Sequence, residues 1–199
     1  MTGKTPAPTR YSVRPASRAD LRTVADLLAA SARWMHGRGY DAWPPDGFPD
    51  ERILLDIDAG TCWIVHDRQM KRDVATFVLD SRPDMEFIAA GLAQPDMPVT
   101  EALILHRMAV ARDLAGTGIS TLILDWATDR TARASRDWLW INVARRARPL
   151  QAWYVLHGFD YITTVTMDDP RTGLPRKSGT LMRRAATEQR DVHRQIRLA

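Results

Sequence analysis

The sequence predicts an α+β fold: one domain with a mixed central sheet flanked by helices. Three observations lead there. Strand-like and helical stretches alternate along 199 residues with no internal repeat and no linker. Two β-rich runs at 61–66 and 74–79 are joined by a short polar break, which reads as an antiparallel hairpin. A strand, a glycine turn, a helix and a second strand then follow in direct succession over 102–143.

The elements follow in chain order. Residues 1–10, with two prolines among small polar residues, read as a disordered arm. A short strand covers 11–15. Ser17 can cap the helix that follows, with Asp20 three residues on as its capping-box partner. Leu21, Val24, Leu27 and Leu28 recur at helical spacing up to Arg33, and Gly37 and Gly39 stop the helix. The stretch 41–49 is a Pro/Gly loop. A short helix at 50–58 carries Ile53, Leu54 and Ile57. After the hairpin, 81–100 is a long connection with three prolines, a length that favours a functional or mobile loop. Then come a strand at 102–110, a glycine turn at 115–118, and a helix at 119–133 with Leu122, Ile123, Trp126 and Ala127 on its apolar face. A strand at 138–143, a helix at 149–157 ending at Gly158, and strands at 159–167 and 179–183 complete a domain spanning 11–185. Residues 186–199 form a polar, basic tail with a frayed helix at 188–198.

Composition narrows the class. Hydrophobic residues make up 45% and charged residues 26%, a globular mixture. No apolar run approaches the ~20 residues of a membrane-spanning helix. The first residues lack the apolar stretch of a secretory signal, so a cytoplasmic protein is expected. Cys62 is the single cysteine, which excludes an intrachain disulfide and argues against a cysteine zinc site; no metal is expected. The net charge is +4, but it is unevenly spread. Residues 1–40 carry seven bases and two acids, 41–101 five bases and thirteen acids, and 102–199 sixteen bases and nine acids. An acidic middle between basic flanks suits a cationic ligand at one place and an anionic one at another, or is simply a solvated surface.

The chemistry-bearing stretch runs from His106 to Ser120. A strand enters two glycines and passes straight into a helix. Gly116 and Gly118 lack Cβ atoms and allow close approach of a ligand, and the unpaired amides of the first helical turn make an anion site suited to phosphate. The Gly-Lys-Ser/Thr ending of a P-loop is missing, and so is the third glycine of the dinucleotide fingerprint. About forty residues later the chain reads Tyr154-Val-Leu-His-Gly-Phe159, a helix ending in Gly-Phe before a strand.

With these two motifs in this order, the sequence resembles the GNAT superfamily of N-acetyltransferases from about Tyr11 to Arg184. Those enzymes pair an Arg/Gln-x-x-Gly-x-Gly/Ala turn with a Tyr-x-x-x-Gly-Phe helix. The stretch 34–45 and the Leu-His-Arg-Met-Ala-Val run are similar to a group of such enzymes common in high-GC actinobacteria. The resemblance implies central strands that splay apart, with acetyl-CoA as cosubstrate. The backbone of Met108, Ala109 and Val110 would then bind the pantetheine arm. The turn Ala115, Gly116, Thr117, Gly118, Ile119 and Ser120 would hold the pyrophosphate, with Arg112 as a counter-charge or merely a solvated loop arginine. Ala115 stands where the family has Arg or Gln, and Ser120 where it has a small residue.

The resemblance also implies that Tyr154 protonates the leaving sulfur; the alternative is a packing aromatic between Trp153 and Phe159. A family glutamate twelve residues earlier is Asn142 here, and a family asparagine seven residues earlier is Ala147. His106 could relay a proton, because an imidazole titrates near neutrality, or could be a partly buried histidine bonded to backbone. The acceptor pocket is implied at 34–51 and 81–101, which hold Asp41, Asp46, Asp50, Glu51, Asp84, Glu86 and Asp96 together with Trp34, Tyr40 and Trp43. Aromatic faces and carboxylates suit a small cationic amine, for which Trp34, Tyr40, Trp43 and Glu86 are the expected contacts.

Two other functions compete with an acyltransferase. Asn142 and Ala147 are compatible with a non-catalytic acyl-CoA-binding regulator. The cluster Arg145, Arg146 and Arg148 with the basic tail raises nucleic-acid binding, but CoA phosphates or solvent account for it as well, so no nucleic acid and no membrane are expected as partners. The last strands and the tail offer an edge for a homodimer.

Overall fold

In a computed structural model the chain is described for residues 9–40, 42–95, 97–170 and 172–199. Most of the expected arm, residues 1–8, and Asp41 and Asp96 of the expected acceptor site lie outside the described residues. Among the described residues eight strands form one sheet in the order β6-β7-β5-β4-β3-β2-β1-β8. They are β1 (Tyr11–Pro15), β2 (Cys62–Asp67), β3 (Arg72–Asp80), β4 (Ala102–Val110), β5 (Trp138–Val143), β6 (Asp160–Thr164), β7 (Thr180–Ala185) and β8 (Ile196–Leu198). The helices are α1 (Leu21–His36), α2 (Asp50–Asp58), α3 (Met85–Ala89), α4 (Ile119–Arg133) and α5 (Arg148–Leu156).

Neighbouring strands run antiparallel except for β4 beside β5 at the centre and β1 beside β8 at the edge. The hairpin expected around 67–73 is β2–β3. Entry into α1 is set as the sequence suggests. The Asp20 carboxylate accepts the Ser17 amide at 2.8 Å and its hydroxyl at 2.7 Å, while Arg14 clamps both Asp20 oxygens at 2.8 Å.

Helices cover both faces of the sheet. On one face α1 and α2 bury Val24, Leu28, Ile53 and Ile57 against Ile64, Val78 and Ala109. Further along that face α3 packs Phe87 against Ile104, Trp140 and Leu181. On the other face α4 and α5 close the largest cluster, with Leu122, Ile123, Trp126, Tyr154 and Phe159 over Leu105, Val110, Leu139 and Ile141.

Two expectations are corrected. The connection 81–100 holds a helical turn, α3, because Phe87 finds an apolar seat beneath it. The tail is not a frayed helix. Val192 and Ile196 are buried, and residues Ile196–Leu198 pair in parallel with β1. The stretch is too polar to show this locally; the open edge of β1 and the end of the main core supply the partner. The sheet edges are therefore β6 and β8.

Candidate functional site

The site grows from a defect at the centre of the sheet. β4 pairs with β5 from Ala102↔Trp138 to Leu105↔Ile141, and no further. Beyond Leu105, β4 stays with β3 through Thr76↔Ala109 and Ala75↔Val110. The β5-facing side of Met108–Val110 thus has no strand partner, and the two central strands separate. The divergence coincides with a bulge. Thr76 and Val78 face Ala109 and His106, so β4 fits an extra residue, Arg107, whose φ of 46° lies in the left-handed region. Bulges of this kind re-aim side chains and bend a strand away from its neighbour.

The glycine turn lies beyond the end of β4. Gly116 and Gly118 have φ of 79° and 89°, and a Cβ added to either would meet nothing within 4 Å. Glycine is needed there for backbone conformation, and the cradle is open. The first bond of α4 runs from the Leu122 amide to the Gly118 carbonyl at 3.0 Å, so the amides before it point out of the helix end. Arg112 stands beside this turn. Its guanidinium lies 4.0 Å over the ring of Trp34, whose ring also carries Arg38 at 4.8 Å. Among the described residues neither arginine meets a carboxylate, and the buried Arg112 Nε has no hydrogen-bond partner. Burial and the neighbouring Arg38 lower the pKa of Arg112. An open turn, free amides and an uncompensated cation with an orphaned donor fit a phosphorylated cosubstrate.

Tyr154 lies on α5, 8% exposed, in the cluster that holds Leu105, Val110, Ile141 and Val143 around the strand divergence. Trp153 and Phe159 meet its ring edge-on at 5.0 and 5.4 Å. Its hydroxyl has no hydrogen-bond partner among the described residues. Burial pushes its pKa up to about 12, so it is a neutral phenol with a proton to give.

On the α1–α2–α3 face a polar cluster separates the two smaller apolar cores. His106 on β4 sits between two carboxylates, with Nε2 3.3 Å from Asp80 and Nδ1 3.5 Å from Asp84. Burial works against the charged ring, but Asp84 and then Asp80 outweigh it and push the His106 pKa up to about 9. Asp84 is held well below the usual carboxylate range, because His106, the Asn142 amide and Arg107 overcome its desolvation. Asn142 on β5 links the start of α3 to the segment before β7. Its Nδ2 donates to Asp84 at 3.1 Å and its Oδ1 accepts the Gly179 amide at 2.8 Å. Beside His106, buried Asp56 of α2 receives Arg52 at 3.0 Å, Arg82 at 3.1 Å and Arg107. A cavity of about 120 Å³ opens among Arg52, Arg82, Asp84, His106 and Arg107.

This arrangement redistributes the expected residues. His106 lines the cavity, bonded to two carboxylates rather than to backbone. Trp34, Tyr40, Trp43 and Glu86 do not line it. Both arginines on Trp34 take up the ring that a cationic ligand would need. Tyr40 is half-buried just after α1. Trp43 packs edge-on to Phe48 at 5.4 Å, and Phe48 in turn lies under Arg107 at 5.7 Å. Glu86 is corrected outright as a ligand contact. It is 0% exposed, takes Arg176 at 2.6 and 3.2 Å and the Ser178 hydroxyl, and so ties α3 to the segment before β7. Arg145 is likewise spent inside the fold, on the Arg176 carbonyl at 2.7 Å and the Ser178 carbonyl at 3.2 Å. Sequence reasoning passed over Arg52, Asp56, Asp80, Arg82 and Arg107. Their only local signal is charge beside apolar helix and strand residues; what joins them is tertiary. Among the described residues no cluster of three or more metal-ligating side chains could hold an ion, and no helix is long and apolar enough to cross a membrane.

Comparison with known proteins places the fold. No family model matches the chain. A Bacillus subtilis protein described as the uncharacterized N-acetyltransferase YesJ is 24% identical over 152 residues, covering 74% of this chain and 81% of that one. A GNAT-family acetyltransferase from Listeria monocytogenes superposes with a TM-score of 0.69 at 20% identity, covering 92% of this chain and 98% of its own. The yncA protein of Salmonella typhimurium, solved with its cofactor acetyl-CoA, superposes with a TM-score of 0.59 at 12% identity over 91% of this chain and 96% of its own. The open mixed sheet described above is the fold of these acetyltransferases.

Proposed function

We propose that this chain is an acetyl-CoA-dependent N-acetyltransferase of the GNAT superfamily, acylating the primary amine of a small molecule by direct attack. The observation that carries this reading is the divergence of β4 from β5, with the open glycine turn beyond β4 and the unpartnered Tyr154 phenol in the core around it.

The residues take the following parts. The outward amides before Leu122, with Arg112, hold the diphosphate. The unpaired backbone of Met108–Val110 hydrogen-bonds the pantetheine arm in place of a strand. The cosubstrate supplies an activated thioester carbonyl. The acceptor reaches the cavity as an ammonium and meets Asp84, whose side chain is 31% exposed. His106 takes the amine proton in its neutral form, a fraction on the order of one part in a hundred at pH 7 for a group titrating near 9. Asp80 and Asp84 orient its ring. Tyr154, neutral at this pH, gives its proton to the departing sulfur.

A non-catalytic acyl-CoA-binding regulator is the second reading. It draws on Asn142, whose amide is committed to Asp84 and Gly179 and offers no base. Isothermal titration with acetyl-CoA, followed by thiol release against an amine panel, separates the two. Micromolar binding with amine-dependent release is the expected result. Binding without release supports the regulator, and absence of binding removes both.

A further inference from the structure

The cavity beside His106 is unusual in what its walls leave unspent. The carboxylates in and behind its walls are largely engaged. Behind the lining, both oxygens of Asp56, 2% exposed, are occupied by three arginines that do line the cavity. Asp80 is bound by Arg82 at 2.8 Å and by His106. The guanidiniums are not saturated. Arg52 makes one contact, through Nη1 to Asp56, and its side chain is 42% exposed. Arg82 uses Nε and Nη2, leaves Nη1 without a partner among the described residues, and is 52% exposed. Both line the cavity. The walls therefore present spare N–H donors and almost no spare acceptors, apart from the exposed part of Asp84. A guanidinium presents its donors as a planar fork that matches a carboxylate.

We propose that the acceptor is an amine that also carries a carboxylate, an amino acid in the broad sense, with its carboxylate on Arg52 and Arg82 and its amine toward Asp84 and the strand divergence. This rests on the acetyltransferase reading and replaces a purely cationic acceptor with a zwitterionic one. Trp34 and Glu86, expected to bind a cation, are already engaged elsewhere, which agrees with it. Arg82 emerges from the turn after β3 and Arg52 from the first turn of α2, so the two reach the cavity from separate elements.

The test is thiol release from acetyl-CoA over matched pairs of amines, each an amino acid and the carboxamide made from it. The amide has the less basic amine, so intrinsic reactivity at neutral pH favours it. The proposal expects kcat/KM at least about tenfold higher for the acid, as suits one or two charge-assisted hydrogen bonds. Arg82→Gln should lower the acid-over-amide ratio of kcat/KM about tenfold or more, whatever it does to both members through Asp80, and the ratio should be partly rescued by Arg82→Lys. Arg52→Gln, at an exposed helix position, should act in the same direction and serves if Arg82→Gln melts early. Equal or better turnover of amides and plain alkylamines overturns the proposal, as does an Arg82→Gln effect equal on both members of a pair. Titration with acetyl-CoA keeps the levels apart. A chain that binds it and prefers amines without a carboxylate loses this inference alone, while a chain that does not bind it loses the acetyltransferase reading and this inference together.

Discussion

In the proposed reaction Tyr154 and His106 divide the proton chemistry by environment. Tyr154 has no polar neighbour to ionise it, and burial alone pushes its pKa up to about 12. A general acid of this type contributes about a hundredfold or more to rate. Tyr154→Phe is expected to lower kcat by about that factor while leaving acetyl-CoA affinity within about twofold, read by stopped-time thiol release and by titration. An unchanged kcat would return Tyr154 to a packing role. His106 is the opposite case, a buried ring kept charged by two carboxylates up to about pH 9. If its neutral form is the base, kcat rises about tenfold per pH unit from 7 and levels near 9. The limb disappears in His106→Asn, and a flat wild-type profile would exclude the role.

At the scale of elements, the turn into α4 and the bulge in β4 do the positioning. Gly118 caps α4 at φ 89°, with open space where a Cβ would stand. The cost of Gly118→Ala is therefore conformational rather than a clash, about 1 kcal/mol. We expect Tm to fall by a few degrees and acetyl-CoA to bind about tenfold more weakly, since the turn's amides lose their aim; calorimetry of both forms reads the two effects separately. Gly179 is different: its amide holds Asn142, and a Cβ there would come within 2.2 Å of the Val165 carbonyl. The Arg107 bulge places His106 and Arg107 on the α1–α2–α3 face together, one toward Asp84 and the other toward Asp56.

For the whole molecule, stability follows from the same groups. The His106 pKa is raised above its unfolded value of 6.5, so its contribution is complete below about pH 6.5 and is lost as pH rises through about 9. The Asp84 pKa is depressed, so its contribution is complete above its unfolded value of 3.8 and is lost only in acid. Thermal melts should therefore be flat from about pH 5 to 6.5 and decline toward pH 10, with a shallower decline in His106→Asn. The C-terminal strand is a second global term. Ile196 is 0% exposed against β1, and Ile196→Ala should cost about 2–5 kcal/mol in denaturant titration. A cost under about 0.5 kcal/mol would mean that β8 is not part of the cooperative fold.

Much of this architecture is legible in the chain. The hairpin, α2, β4, α4 and β5 follow from apolar periodicity and turn residues, because those signals are local. The glycine turn is legible for the same reason: positive φ demands glycine wherever the partner lies. The cavity is not legible. Arg82 and Asp56 are 26 positions apart and Arg107 and Asp56 are 51, and a charged residue looks the same in sequence whether solvated or clamped. Glu86 looked like an exposed ligand and is a buried anchor, for the same reason. The sequence by itself determined the order of β1 to β7 with α1, α2, α4 and α5, the glycine turn and the phenol on α5, since each depends on neighbours within one or two turns of chain. Only the tertiary structure decided the strand divergence, the charge state of His106, the parallel edge strand β8 and the spare guanidinium donors, since each depends on which distant carboxylates and strand edges the folded sheet brings into contact.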